Sequence, residues 1–480
     1  LTSHNKFESL GTKTKTVDTS ILNGDQRLAF GKLVNYVRNP TDRSIYVLRG
    51  WAGTGKTFCV SLLVNYLLTE LYRDKGWYRI AVTGPTNKSV RVIRRSSDIH
   101  DTRVSFQTIH KLLGLKEKIT LDGKQEFVKD PGFQPKISKI KLLIIDEVSM
   151  LNDDLFEKII KHRENIKVIC MGDPAQIPPV GKPDCIPFRE ELAEEYEIKT
   201  LDLKTIMRQK LDNPIISSSV KIRENINEPD SGILPQTITN KSGEGIEFLN
   251  LGDPGVRKNI SSYMEKYFKT KSFEEDSEYA KVIAWRNKTV STMNTLVRRV
   301  IYGEEQIGEK ILVGEKLIIN SPYIVNGMVV FNTNDEFTVD SFEIKTQKAK
   351  VEDLEVDLKY YETRVWFLDD NNSRHEDTIE ILHEDSEYDF KRVANILKNI
   401  AIQKKGKDKS WLAYYDFLRE FADVSYAYCI TAHKSQGSTY ETSFVMEDDI
   451  EMNWDVIERN RIKYTAYTRA SKKLYVLKRF

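Results

Sequence analysis

The chain has 480 residues, with 73 basic and 71 acidic side chains and a net charge of +2. That length exceeds one ordinary core and calls for three or four compact units, and so even a charge excludes any nucleic-acid partner held by bulk attraction alone. No stretch approaches the roughly 18 uninterrupted apolar residues of a membrane span, and Cys59, Cys170, Cys185 and Cys429 share no CxxC spacing, which fits a reduced intracellular protein without structural zinc.

Residues 1–20 are polar, lack an apolar signal core and read as a loose tail. The start at Leu1 is expected to follow a trimmed upstream segment. Short apolar runs then recur at Ile45–Leu48, Arg79–Val82, Leu142–Ile145 and Val168–Met171, with helical patterns at Phe58–Leu71, Ser89–Arg95 and Asp154–His162 between or after them. Strand and helix in alternation predict a doubly wound α/β sheet. Within this unit Lys116–Val128 has two short β-prone arms around Asp122-Gly123, the signature of a hairpin. The α/β pattern restarts at Lys281–Trp285 and ends with Ser443–Met446 and Leu474–Leu477. Between these, the runs FTVDSFEI, TRVWFL and TIEIL alternate like strands of a small antiparallel barrel or sheet.

The chemistry concentrates at strand ends. Gly50-Trp51-Ala52-Gly53-Thr54-Gly55-Lys56-Thr57 fits GxxxxGK[ST], with a strand before it and a helix after it. Gly50, Gly53 and Gly55 let successive backbone N–H groups, including that of Thr54, curl around phosphates, and the following helix N-terminus favours negative charge. Lys56 is positioned to reach the β- and γ-phosphates of ATP, and Thr57 to hold Mg²⁺. Asp146 and Glu147 close a buried strand, where paired acids are costly unless a cation or substrate uses them. Asp146 suits a Mg²⁺ ligand and Glu147 the group that orients and deprotonates the attacking water. Gln176, just past a third strand, offers a neutral amide that could sense the γ-phosphate.

These residues, in this order, resemble the superfamily 1 helicases and, within them, the RecD-like branch (superfamily 1B). The likeness runs from about Leu22 to the C-terminus, strong at the motifs and thin across Asn332–Val424. It implies that Gln26 reads adenine and that Thr83, Pro85, Thr86, Asn87 and Lys88 form motif Ia, which meets the DNA backbone. It implies further DNA contacts at His110 of a TxxH element, at Asn287 and Lys288, and at Thr431 and His433 of motif V. Arg208 resembles the motif IV arginine and Arg469 the motif VI arginine finger; a guanidinium is a fixed, always-charged fork suited to γ-phosphate charge. Trp51 departs from the family, whose phosphate loop more often has a smaller residue there.

The resemblance implies two RecA-like domains, at 21–204 with a hairpin insertion near 111–138, and at 205–331 plus 425–480. A β-rich, SH3-like insertion is expected at 332–424. ATP and Mg²⁺ are expected between the domains, and single-stranded DNA across both, with 5′-to-3′ movement and a forked duplex as substrate. A monomer without membrane association is expected, in the host cytoplasm if phage-encoded, with single-strand-binding or replication proteins as partners. A translocase without unwinding, a helicase subunit of a larger complex, and a nucleotide-gated DNA-binding scaffold are the alternatives. Phe127 of the hairpin, likened to the strand-separating pin of such helicases, either stacks on the last base pair or anchors the hairpin to its domain. Lys88, Arg91, Arg94 and Arg95 form either a phosphate-tracking stripe or a solvated face. Trp411, Tyr414 and Tyr415 either stack bases or pack the small β-domain.

Overall fold

The computed structural model describes residues 17–479, apart from 98, 120–124, 130–131, 133–134, 180, 208–212, 231, 234, 326–327, 370–372 and 405–408. The tail up to residue 16, the Asp122-Gly123 turn, Arg208 and most of the lysine-rich stretch after Lys404 therefore lie outside the described residues.

Six parallel strands form the first sheet, in the spatial order Val104–Thr108, Ile80–Gly84, Leu142–Ile145, Lys167–Gly172, Ile45–Gly50 and Ile198–Leu203. Side chains of a strand alternate between faces, and here both faces are covered. Leu142, Ile144, Ile169 and Met171 pack under the helices Gly24–Arg38 and Lys56–Tyr66. Leu143, Ile145, Val168 and Cys170 pack under Ile109–Leu113 and Asp153–Ile160. That double coverage is why the central runs are apolar without alternation. The hairpin arms are Leu115–Ile119 and Gln125–Lys129, paired antiparallel so that Phe127 faces Glu117 in register.

The second sheet runs Cys429–Thr431, Ala280–Ala284, Tyr440–Met446, Ala470–Lys478, Gly245–Asn250 and Ile238–Thr239, parallel except for the last pair. A third, antiparallel sheet runs Arg374–Leu382, Leu354–Leu368, Glu336–Val351, Lys316–Ile319 and Val424–Tyr426. It draws its last two strands from either side of the 332–424 stretch. That stretch also holds two helices, Glu387–Gln403 and Ser410–Leu418, which the strand-like patterning did not signal. They meet through Phe390 and Phe417, stacked at 4.6 Å, over Phe421 and Leu358. Trp411, Tyr414 and Tyr415 cluster on the second helix at 5.0–6.1 Å from one another, half-buried and outside the sheet core.

Candidate functional site: a phosphate loop facing a second α/β half

The phosphate loop joins the strand Ile45–Gly50 to the helix Lys56–Tyr66. Gly53 and Gly55 adopt φ of 82° and 76°, the left-handed region where a side chain is strained. A Cβ at Gly55 would also stand 2.7 Å from Gln26 Nε2. Lys56 Nζ donates to the Gly50 carbonyl at 2.7 Å, so the ammonium lies folded over its own loop. Gln26 is wholly buried beside it. Its Oε1 accepts from the Asn23 N–H to close a capping box, while Nε2 donates to Thr54 O at 2.8 Å and to Met207 Sδ at 3.3 Å. In this conformation the amide assigned to adenine is spent on the helix cap and the loop.

Asp146 and Glu147 follow the strand Leu142–Ile145 at the same sheet edge. Burial, and then the neighbouring Glu147 charge, push the Asp146 carboxyl up to about 7, against the lowering effect of Lys56. Two carboxylates sharing one buried corner call for a cation. Glu147 sits at φ 50°, an uncommon conformation for a residue with a side chain. Its Oε2, and the Oε1 of Gln176, are buried with no hydrogen-bond partner among the described residues. Unsatisfied oxygens beside a glycine cradle fit a site for a divalent cation, a nucleophilic water and a phosphate chain.

Across the cleft, the second half reaches the loop directly. The Tyr464 hydroxyl donates to Asp173 Oδ2 at 2.5 Å and accepts from the Ala52 N–H at 3.2 Å. The Ile177 N–H donates to Thr465 Oγ1 at 3.3 Å, and Gln436 Nε2 to Ile177 O at 2.9 Å. Arg469, expected as the arginine finger, is placed differently. It is buried, and Nε, Nη1 and Nη2 donate to Thr465 O, Ser438 O and Thr468 Oγ1, each at 3.0 Å. Its fork is thus satisfied inside its own half.

The expected DNA contacts divide. Pro85, Thr86, Asn87 and His110 line a cavity of about 1470 Å³ between the hairpin and the third sheet, with Phe127 and Tyr415 on its wall. Asn287 and Lys288 are exposed at a helix start, and Thr431 and His433 are half-buried. Burial holds His110 and His433 below the usual imidazole range, so at neutral pH they offer a hydrogen bond or a ring face and no full charge. Two motif Ia residues, Thr83 and Lys88, are turned inward. Thr83 is wholly buried, its hydroxyl donating to Ile144 O at 3.0 Å. Lys88 turns inward, bonding Glu336 Oε1 and the Tyr440 hydroxyl at 3.1 Å each. An ammonium so paired is not available to a DNA phosphate. The stripe is also partly tied up, since Arg91 pairs with Asp335 and Arg95 with Glu278. Phe127 is 48% exposed and rests against His110, with ring centres 4.4 Å apart.

Comparison with known proteins bears on the same segments. Residues 22–233 match the model of an AAA domain, and residues 426–477 that of the UvrD-like helicase C-terminal domain. The chain is 23% identical over 440 residues to the ATP-dependent DNA helicase dda of Enterobacteria phage T4, covering 88% of this chain and 92% of that one. Over most of its length the chain is thus similar to an ATP-dependent DNA helicase. A second relative is the uncharacterized protein R530 of Acanthamoeba polyphaga mimivirus, 27% identical over 505 residues and covering 95% and 99% of the two chains. A solved structure, the Pif1 helicase from Bacteroides in complex with ADP-AlF3 and ssDNA, aligns at a TM-score of 0.45 and 16% identity, covering 93% and 91%.

Motif spacing did not point to Arg223. It donates to Asp173 Oδ1 through Nη2 at 3.1 Å and Nε at 3.3 Å, and lies over the Trp51 ring at 4.8 Å. The one sequence signal near it was Trp51 itself, an unusually large residue for the family's loop.

Proposed function

We propose that this chain is an ATP-dependent DNA helicase that translocates along single-stranded DNA, with ATP hydrolysed between the two α/β halves. The observation that carries this reading is the cleft itself: Lys56, Asp146, Glu147 and Gln176 gather at one sheet edge while Tyr464 of the other half bonds the phosphate loop. In the proposed roles, the loop and Lys56 bind the phosphates, and Glu147 takes the proton of the attacking water. Gln176 orients that water or the γ-phosphate, and Arg208 and Arg469 stabilise transferred charge once the cleft closes. For Arg469 this requires release from Thr465 O and Ser438 O, so closure and catalysis are one event. Magnesium held by Thr57 and Asp146 would supply neutralisation of the β- and γ-phosphate oxygens. Gln26 fixes the rim of the loop on which adenine would lie. We divide the chain into RecA-like domains at 21–204 and at 205–331 with 425–480, the 332–424 insertion standing over the DNA track. A monomer working on single strands and forked duplex is the proposed form, with single-strand-binding or replication proteins as its partners.

The test is ATP hydrolysis with and without single-stranded DNA, paired with forked duplexes bearing a 5′ or a 3′ tail. Stimulation by DNA and unwinding from the 5′ tail are expected. Unwinding from only the 3′ tail would overturn the proposed direction, and DNA-stimulated hydrolysis without strand separation would leave a translocase.

The hairpin gives a second expected outcome. Two strands alone are marginal in water, and Phe127 keeps an open face while its other side leans on His110. An aromatic face can replace part of the stacking lost when a base pair melts. Phe127→Ala is expected to keep DNA-stimulated hydrolysis within about twofold and to lower duplex unwinding about tenfold, since base stacking is worth about 1–3 kcal/mol. A proportional fall in both activities would make Phe127 a brace for the hairpin.

A further inference from the structure

Arg223 belongs to the second half, on the helix Pro214–Glu224, which packs against the helix Val456–Tyr467 and the strand Ala470–Lys478. Its guanidinium nevertheless leaves that half. One side meets the face of Trp51, the second residue of the phosphate loop, at 4.8 Å. Its donors meet Asp173, which is wholly buried at the end of the first sheet. The other Asp173 oxygen accepts the Tyr464 hydroxyl, and the Tyr464 oxygen accepts the N–H of Ala52, next to Trp51. The contacts thus form a closed circuit: Trp51, Arg223, Asp173, Tyr464, Ala52 and back to Trp51. Two of its members lie in the second half and three in the first.

The circuit has a direct geometric consequence for Arg469. Tyr464 lies in the last turn of the helix Val456–Tyr467, and Arg469 follows two residues beyond its end, bonded back to Thr465 O and Thr468 Oγ1. Where Tyr464 is held relative to the phosphate loop therefore sets where Arg469 starts its approach. A flat ring at position 51 suits this use, because a guanidinium stacks on an aromatic face while its edge donates in the plane to a carboxylate. An ammonium has neither the plane nor the fork. Nothing in phosphate binding itself requires a side chain at position 51, since the loop uses backbone N–H groups there.

We propose that Arg223, clasped between Trp51 and Asp173, is a positioning residue that couples the state of the phosphate loop to the approach of Arg469. This rests on the hydrolytic reading above and names how that site is regulated. A shift of the loop on nucleotide binding moves Trp51 and Ala52 together, and both ends of the circuit transmit it to the second half. The clasp acts on turnover and leaves phosphate affinity, which belongs to Lys56 and the loop backbone, nearly unchanged.

The test is a cycle of Trp51→Ala, Arg223→Ala and the double variant, with Trp51→Phe and Arg223→Lys beside them. For each, kcat and KM for ATP are measured at saturating single-stranded DNA, with the melting temperature as a check on folding. Each single alanine variant is expected to lower kcat about tenfold with KM for ATP within about twofold, the pattern of an interaction made towards the transition state. The double variant is expected to be no worse than either single one, because both remove the same contact. Trp51→Phe keeps a ring face and is expected near wild type, whereas Arg223→Lys keeps the charge without the fork and is expected to resemble Arg223→Ala. Additive losses, a Trp51→Phe variant as poor as Trp51→Ala, or a raised KM with unchanged kcat would each overturn the assignment while the hydrolytic reading stands. A wild-type chain that hydrolyses no ATP would overturn that reading and this one with it.

Discussion

Glu147→Gln is expected to bind ATP about as tightly as the wild-type chain and to lose roughly 10²–10³-fold in DNA-stimulated turnover, the usual cost of removing one group that acts on the transition state. The reason is local. Glu147 Oε2 is buried with no hydrogen-bond partner among the described residues, so the carboxylate is not committed to holding the fold together. The amide keeps its size and loses its capacity to take a proton. Lys56→Ala is the complementary change. It removes the one cation folded over the loop, and nucleotide binding is expected to weaken together with turnover. Nucleotide binding measured by equilibrium titration, beside steady-state hydrolysis, separates the two. Glu147→Gln turning over at the wild-type rate would remove Glu147 from the role of base.

The second large effect is expected far from the nucleotide, at Glu336→Gln. Glu336 opens the long strand of the third sheet, and it joins that sheet to the helix Asn87–Ser97 of the first half and to the second sheet. Its Oε1 pairs with Lys88 of the first half at 3.1 Å, and its Oε2 with Lys281 of the second sheet at 2.9 Å. Lys281 is 1% exposed at its side chain and also donates to Ala427 O at 2.7 Å. Lys88 lies over the Tyr440 ring at 5.1 Å. Removing the shared carboxylate leaves two ammonium groups in one buried corner, so a loss of about 3–5 kcal/mol is expected. It should appear as an earlier first transition in urea unfolding. The pH dependence gives a second readout. Burial by itself would raise the Glu336 carboxyl, but Lys281 and Lys88 outweigh it and hold it at about 2. A carboxyl lowered in the folded chain stabilises above its ordinary value and loses that contribution as pH falls through the folded one. The stability gap between wild type and Glu336→Gln is therefore expected to be full above about pH 4.5 and to shrink towards pH 2. A gap that stays constant over that range would show that Glu336 acts through packing and not through charge.

The chain's own spelling determined the parts that depend on neighbours in sequence. A phosphate loop needs a strand, a glycine-rich turn and a helix within about a dozen residues, and all of it follows from local backbone geometry. Asp146 and Glu147 were legible for the same reason, since four buried apolar residues precede them and a strand must end where the charges begin. Tertiary structure alone decided what spacing does not carry. Lys88 finds Glu336 across 248 positions, so a residue whose motif points to DNA becomes a buried link between domains. Thr83 reads as part of a surface motif, yet the central strand it belongs to is covered on both faces and its hydroxyl turns to Ile144 O. Arg469 was singled out by its motif, but its partners Thr465 O, Ser438 O and Thr468 Oγ1 are supplied by packing. Arg223 carries no motif at all; its place over Trp51 exists only because two helices of the second half carry it there. The helices Glu387–Gln403 and Ser410–Leu418 were missed within a stretch whose strands alternate clearly, because their apolar faces are completed by contacts with Phe421 and the third sheet. Local patterns specify elements and the chemistry at their ends, while the partners of a buried charge are chosen by packing between units, which leaves no periodic trace in the chain.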